Sequence, residues 1–250
     1  MKYEYFIKGH SVHFTTLIMN STSIHNTTIV FYFTLLCFCF SLGRADAFTS
    51  KLYENCIAGN GIKKTVSRKF LPISILEVSG PIQVKAHSNQ IEKYIRITGD
   101  ENLLPLIKTS PQGNHLIIYP ERPICPDIGI TLELAVAELV ALIAKSPAKI
   151  EVDEIYTNRF SLVSTSSGDI ELSGSAGIFD AEITGSGDME FESLNTRQAL
   201  INTAGNGMIT IRATDKLQVD ILGGADIYYY GSPREVVENI VGAGSLSISE

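Results

Sequence analysis

Five glycine-marked segments recur at nearly constant spacing in the last third of the chain, and this repeat most limits the possible folds. The first apolar residues of the segments are Ile170, Met189, Ile209, Ile227 and Leu246, so the successive steps are 19, 20, 18 and 19 residues. A turn glycine precedes each of them: Gly168, Gly187, Gly207, Gly224 and Gly244. We expect these glycines to permit tight chain reversal with positive φ, where a Cβ would clash.

A second short apolar run lies between successive turns, as in Phe179, Ala181 and Ile183. Each repeat is therefore predicted to hold two short strands. One repeat alone buries too few side chains to offset the conformational entropy lost on ordering it, roughly 1–2 kcal/mol per residue. Stacked repeats share one core and pair equivalent strands in parallel. The sequence predicts an all-β, right-handed parallel β-helix-like repeat fold with two-strand rungs of about 19 residues. An antiparallel meander or sandwich would not need a fixed period.

The preceding stretch also reads as strands. Apolar residues alternate with other residues from Ile128 to Val136, a period typical of half-buried strands. Residues 135–144 fit either strands, which we favour, or one buried helix. Turns are predicted at Thr98-Gly99-Asp100 and at Pro111-Gln112-Gly113-Asn114.

The N-terminus resembles a cleavable export signal. Residues 29–42 carry no charge, and Ala45-Asp46-Ala47 matches a small-residue cleavage site. Fourteen uncharged residues are too few for a helix that spans a bilayer, which needs about 20. We predict a signal peptide region over residues 1–47 and a linker over residues 48–69, with translation starting at Met1 or Met19. A short membrane anchor is the alternative.

Cys56 and Cys125 are the only cysteines that remain once this leader is removed. An exported protein can form a disulfide between them. Two free buried thiols are the other possibility, and the sequence alone does not choose.

Acidic residues concentrate in the repeats. The formal net charge is −7, and residues 165–250 contain 4 basic and 13 acidic residues, a net charge of −9. A broad basic surface for nucleic acid is therefore not expected.

The repeated segments SSGDIELSG, TGSGDMEFES, GNGMITI, GGADIYYYGSP and GAGSLSI resemble the head GIN domain family of bacterial adhesin heads. The upstream stretches LEVSGPIQV, YIRITGDENLLPLIKT and GNHLIIYP resemble the first half of that domain. The resemblance divides the chain into a first half over residues 70–164 and glycine-turn repeats over residues 165–250. It implies an exported β-helix-like protein with a proposed role in adhesion and no established catalytic residues. Two turns depart from the pattern, with Met208 and Ser245 where the others carry Asp.

Tyr228 and Tyr230 are the candidate ligand contacts. If Ile227 points inward, both rings face solvent beside a turn, where exposed tyrosines suit sugar or protein contacts. Packing under a neighbouring loop is the alternative interpretation. Asp169 and Asp188 should stack one rung apart, which fits turn-shaping residues better than a Ca²⁺ column.

No enzyme motif is present. The histidines after the leader, His87 and His115, lie far in sequence from the repeated acids. Arg212 and Lys216 beside Asp215 could act as in polysaccharide lyases, but surface ion pairs are the commoner explanation. We therefore expect no catalytic site, no metal site and no cofactor.

The expected function is adhesin-like recognition of a protein or glycan ligand. The protein would act in the periplasm, on the outer membrane surface or after secretion. Two alternatives stay open: a carbohydrate-active β-helix enzyme, and a structural envelope protein whose last rung, residues 246–249, pairs with another copy as a homo-oligomer.

Overall fold

The fold is an all-β solenoid of about five turns. The computed structural model describes residues 56–249, so the predicted signal region over residues 1–47 lies outside the described residues. These contain 17 strands and one 3-10 helix, Leu104–Leu106. Within them, no helix is long and apolar enough to cross a membrane. The all-β repeat fold predicted from the sequence is confirmed.

Ten strands precede the regular turns of the solenoid. They are β1 (Ile57–Ala58), β2 (Lys63–Arg68), β3 (Ile75–Ser79), β4 (Ile82–His87), β5 (Tyr94–Asp100), β6 (Ile107–Gln112), β7 (His115–Pro120), β8 (Ile124–Cys125), β9 (Ile130–Ala135) and β10 (Ala141–Lys145). Seven strands follow, of which the first four are long: β11 (Ile150–Ser164), β12 (Ile170–Ile183), β13 (Met189–Thr203), β14 (Met208–Ile221), β15 (Asp226–Tyr230), β16 (Glu235–Ile240) and β17 (Ser245–Ile248).

The four long strands bend, so one 15-stranded sheet forms two faces. The first face runs β2-β5-β9-β4, continues through the first halves of β11 to β14, and ends with β15 and β17. The second face runs β6-β7-β3-β10, continues through the second halves of β11 to β14, and ends with β16. β1 and β8 pair in parallel as a separate two-stranded sheet.

The five predicted column residues stack directly on one another. The pairs are Ile170 with Met189, Met189 with Ile209, Ile209 with Ile227, and Ile227 with Leu246. The first four are buried and Leu246 packs against the core. Because every pairing is parallel, each glycine-marked segment repeats the hydrogen bonding of its predecessor. The predicted column is confirmed.

Three phenylalanines are the largest fully buried side chains of the described core. Phe160, Phe179 and Phe191 are fully buried. The ring centroids of Phe160 and Phe179 lie 6.3 Å apart, and those of Phe179 and Phe191 lie 5.0 Å apart in an edge-on arrangement. Each such ring stabilises the fold by about 1.5–3 kcal/mol through burial, and edge-on contacts add a further share.

Four rungs each hold one long bent strand, β11 to β14, rather than the two separate strands that the sequence predicts, whereas the next rung has the two predicted strands, β15 and β16. The ladder shifts register between Val152 and Ile155 in β11, and between Glu171 and Gly174 in β12. Gly174 has φ +124° and Glu154 has φ +54° at these bends. The chain therefore turns the corner by a β-bulge and keeps most ladder hydrogen bonds.

The turn predicted at Thr98-Gly99-Asp100 is wrong, because all three residues lie within β5. Asp100 is fully buried, and its carboxylate accepts hydrogen bonds from the backbone N–H groups of Gly61 at 2.8 Å and Asp127 at 3.0 Å. These partners are remote in sequence, so local turn signals could not reveal them.

Two other expectations about the first half have different outcomes. The alternation predicted from Ile128 onwards begins only at Ile130, since Ile128 precedes β9 and is exposed. Residues 135–144 form no helix, and β9 and β10 flank a short connection. The preference for strands in this stretch is confirmed.

Candidate ligand-binding face

The turn glycines lie where successive backbones approach closely. A Cβ on Gly187 would lie 2.6 Å from the carbonyl carbon of Gly168, and one on Gly207 would lie 2.9 Å from that of Gly187. None of the five predicted turn glycines has positive φ. At four of the five, close approach of the neighbouring backbone, rather than the expected left-handed conformation, therefore requires glycine, whereas a Cβ on Gly224 would meet only the Asn206 side chain.

The aspartates beside these glycines link one turn to the next. The Asp169 carboxylate accepts a hydrogen bond from the Asp188 backbone N–H at 3.0 Å, and Asp188 accepts one from the Met208 N–H at 3.0 Å. At the fifth turn Ser245 donates its hydroxyl to Asp226 at 2.6 Å. Met208 and Ser245 thus fit the ladder although neither is Asp. In the described part of the chain, no cluster of three or more His, Cys, Asp or Glu side chains could hold a metal ion.

A short ladder of ion pairs lies on the outside of the first face. The Lys149 ammonium lies 3.0 Å from the Glu151 carboxylate and 3.1 Å from that of Glu171. Hydrogen bonding to Glu151, and then to Glu171, raises the pKa of Lys149, and hydrogen bonding to Lys149 lowers the pKa of Glu151. The Lys85 ammonium lies 3.8 Å from the Glu151 carboxylate, so this cluster holds two ammonium groups and two carboxylates and has no net charge.

The next strands along the same face present tyrosines. We call the outward side chains of β14, β15 and β17 the tyrosine face; they are Thr210, Arg212, Tyr228, Tyr230 and Ser247. Ile227 is buried, Tyr228 is 37% exposed and Tyr230 is partly exposed. The alternate ring, Tyr229, packs against the core. The structure therefore places both candidate tyrosines on one solvent-facing surface.

Hydrogen bonding and charge hold the tyrosine face in place. The Arg212 guanidinium lies 5.4 Å from the Tyr230 ring centroid, and its Nε donates to the Glu192 carbonyl oxygen at 3.0 Å. This hydrogen bond holds the guanidinium close to the Tyr230 ring, at a distance that suits a cation–π contact. Glu190 and Glu192 on the neighbouring strand are exposed, and among the described residues neither carboxylate has an ion-pair partner. The face combines flat rings with acidic and hydroxyl groups.

Two of the residues considered for lyase-like chemistry have different partners. Lys216 pairs with Glu235 at 3.2 Å, whereas Arg212 faces Tyr230. The backbone carbonyl oxygen of Asp215 accepts the N–H of Arg234. The two cationic groups are therefore held by separate neighbours.

Each of the two histidines after the predicted leader lies next to a carboxylate that is distant in sequence. His87 Nδ1 lies 2.8 Å from the Asp153 carboxylate, and His115 Nε2 lies 3.3 Å from that of Glu77. Glu77 also pairs with Lys145 at 2.8 Å. Neighbouring strands supply these acids, so the sequence carried no local signal for either pair.

Cys56 and Cys125 form a disulfide in the structure. It joins the two strands of the small β1–β8 sheet. The bond therefore fastens the start of the described chain to the first half of the solenoid.

A cleft of about 290 Å³ lies in the first half of the chain. Sequence reasoning missed it, because its lining comes from four separate segments. Ser74 and Asn114 are hydrogen-bonded to each other at 2.8 Å in its wall. The lining residues are Phe70, Pro72, Ile73, Ser74, Lys93, Asn114, Ala137 and Glu138.

A solved structure of a bacterial protein shares this fold. The crystal structure of a putative adhesin from Bacteroides fragilis matches with a TM-score of 0.64 and 16% identity, covering 77% of this chain and all of that one. A putative adhesin from Parabacteroides merdae matches at 18% identity and TM-score 0.43, covering 78% of this chain and all of that one. A putative lipid binding protein from Parabacteroides distasonis matches at 21% identity and TM-score 0.40, covering 78% and 99% respectively. At 16% identity the likeness to the Bacteroides fragilis protein shows the fold alone.

No curated protein matches the chain. The sequence model described as "Putative auto-transporter adhesin, head GIN domain" matches residues 74–233, which include the first half of the solenoid and four of the five glycine turns. The chain belongs to the head GIN domain family.

Proposed function

We propose that this protein is an exported, non-enzymatic recognition protein of the bacterial envelope or surface that binds glycans through its tyrosine face. The single observation that carries the proposal is the outward placement of Tyr228 and Tyr230 beside Ser247, Thr210 and Arg212. Tyrosine rings supply an apolar surface for a sugar ring and a hydroxyl for hydrogen bonding.

The adhesin-like family supports a role in recognition at the cell surface. The exposed carboxylates of Glu190 and Glu192 add acceptors for sugar hydroxyl groups next to the rings. The separate partners of Arg212 and Lys216 favour binding over lyase-type catalysis.

A glycan array probed with the purified full-length chain tests the proposal. The expected result is binding that falls at least tenfold in the double variant Tyr228→Ser, Tyr230→Ser. The matched control is Tyr156→Ser, because Tyr156 is 60% exposed on β11 away from the tyrosine face. Melting curves of both variants establish that the fold is kept.

Three results would contradict the proposal. Equal losses in the control and the double variant would remove the tyrosine face as the site. Release of unsaturated sugars from a bound polysaccharide would instead identify a lyase. Binding confined to a protein array would replace the glycan ligand with a protein.

A further inference from the structure

The solenoid ends at its C-terminal side with apolar side chains in the positions of core residues. Val236 pairs with buried Leu217, and Ile248 pairs with Tyr229 of the core. Val236 is nevertheless 41% exposed and Ile248 is 64% exposed, and Val237 and Val241 beside them are also exposed. Among the described residues, nothing covers this end of the core, so it presents an apolar surface.

The outer edge of β17 has backbone groups available for pairing. Ser245 N–H donates to the Ala225 carbonyl and Ser249 N–H donates to that of Tyr229. In a parallel ladder alternate residues face the neighbouring strand. The N–H and C=O groups of Leu246 and Ile248 therefore point away from β15, at an edge that no described strand occupies.

The opposite end of the first face has a matching edge in β2. The Ile62 carbonyl accepts from the N–H of Glu101, the residue after β5, so the backbone groups of Lys63, Thr65 and Ser67 point away from β5 in the antiparallel ladder. Val66 packs inward against the core. β2 is antiparallel to β5, and β5 is antiparallel to β9, so β2 runs parallel to β17.

These two edges fit each other in one register. If Ile248 lies opposite Val66 of another copy, these two apolar side chains meet. Leu246 then lies opposite Lys64, whose ammonium pairs with Glu101 at 2.6 Å. Ile248 N–H then donates to the Thr65 carbonyl, and Ser67 N–H donates to the Ile248 carbonyl. Leu246 makes the same two bonds with Lys63 and Thr65. All four bonds use groups that face away from the neighbouring strand in the single copy.

Charge favours joining opposite ends over joining like ends. Residues 57–72 contain four basic residues and no acid: Lys63, Lys64, Arg68 and Lys69. Residues 220–240 contain four acids and one base: Asp220, Asp226, Glu235 and Glu238 against Arg234. Like ends would repel, whereas β2 of one copy attracts the last turn of the next.

The second face does not offer an equivalent junction. Its edge strand β6 contains Pro111, which lacks an N–H. A proline at an edge position is a device that blocks edge pairing. The first face is therefore the one that can continue from copy to copy.

We propose that the last turn of the solenoid docks onto β2 of a second copy of this chain, so that copies join head to tail through β17 and β2. The junction is heterologous, and it leaves one free edge at each end of the pair. Longer assemblies form by the same contact. The tyrosine face adjoins β17 in each copy, so assembly would place these faces in a row and raise avidity for a repeated ligand.

Analytical ultracentrifugation of the full-length protein tests the proposal. The wild-type mass should increase with protein concentration, and added salt should reduce this increase because the ends attract by charge. Ser67→Pro removes an N–H at the β2 edge, and Ile248→Pro removes one at the β17 edge. Neither N–H bonds to the neighbouring strand, so both variants should keep the wild-type melting temperature. Each variant alone should stay monomeric.

A mixture of the two proline variants distinguishes the possible contacts. The free β17 edge of Ser67→Pro can meet the free β2 edge of Ile248→Pro, so the mixture should give a one-to-one dimer. Dimers of Ser67→Pro alone would identify a junction between like ends and overturn the proposal. A wild-type protein that stays monomeric at its highest soluble concentration would also overturn it. Should either proline variant unfold, Lys63→Glu gives a second test and should lose the salt-sensitive association.

Discussion

The glycines of this solenoid are required by neighbouring turns rather than by their own dihedral angles. Gly168, Gly187 and Gly207 stack so closely that each added Cβ would meet the backbone of the turn before it. Backbone cannot move aside as a flexible side chain can. The repeated glycines therefore mark the positions where adjacent rungs lie too close for a Cβ.

Replacing Gly187 with Ala should lower the free energy of unfolding by about 1–3 kcal/mol, the usual cost of overpacking. The new Cβ would approach the Gly168 carbonyl carbon to 2.6 Å, so the turn must shift. Urea denaturation of the full-length chain measures the loss. Ser186→Ala is the matched control, since Ser186 is exposed one residue earlier; an equal loss there would show that crowding is not the cause.

The Lys149 ion pairs predict a small pH-dependent contribution to stability. Because the pKa of Glu151 is lowered from its ordinary value of 4.5, this contribution is present above that pH and is lost as pH falls through the lowered pKa. Lys149→Gln should therefore destabilise the protein by less than about 1 kcal/mol at neutral pH, since the pair is exposed and screened. The difference from wild type should vanish in acid and in high salt. A difference that persists in acid would point to lost packing of the lysine stem.

At the level of elements, the sequence predicts strands well where one rung repeats another. The column from Ile170 to Leu246 follows from spacing alone, because equivalent positions in stacked rungs share one environment. Outside the repeats this logic fails. The buried Asp100 carboxylate in β5 accepts hydrogen bonds from the backbone N–H groups of Gly61 and Asp127. Both donors are distant in sequence, so the residues around Asp100 give no sign of either bond.

The face that carries Tyr228 and Tyr230 follows from alternation once Ile227 is placed inward. The surroundings of the two tyrosines do not follow from alternation. Arg212 lies opposite Tyr230 in the β14–β15 ladder. The Glu192 carbonyl oxygen that accepts from its Nε, however, lies within the register shift between Phe191 and Asn195, which the repeat spacing hides.

The small β1–β8 sheet is an element whose stability depends on one covalent bond. It has two paired residues per strand, too few to persist without help. The double variant Cys56→Ser, Cys125→Ser opens a loop with a sequence separation of 69 residues, which should cost about 4 kcal/mol in the chain-entropy model. Thermal melting with and without reductant measures this. Reductant should lower the wild-type melting temperature and leave the variant unchanged; an equal effect on both would show that another process is responsible.

As a whole, the molecule is stable in its middle and weaker at its C-terminal end. β12 and β13 each have a paired strand on both sides, and their inward side chains are buried on the first and on the second face of the solenoid. All six residues of β16 are exposed, and β17 is paired on one side only. In a stack of rungs stability is close to a sum over neighbouring contacts, so a terminal rung has about half the support of a central one.

Hydrogen exchange should therefore follow the order of rungs. In dilute protein, the Ser249 amide, which bonds to Tyr229, should exchange through local opening at low free energy, while amides of β13 should exchange only at a free energy near that of global unfolding. Mass spectrometry of peptides from residues 235–249 and 189–203 compares the two. Raising the protein concentration should slow exchange in the first peptide and in β2 together, because the head-to-tail junction occupies both edges. If residues 235–249 gain protection while residues 63–68 do not, a different surface covers the last turn; if both peptides exchange alike at every concentration, the solenoid unfolds as one cooperative unit and its end is no weaker than its middle.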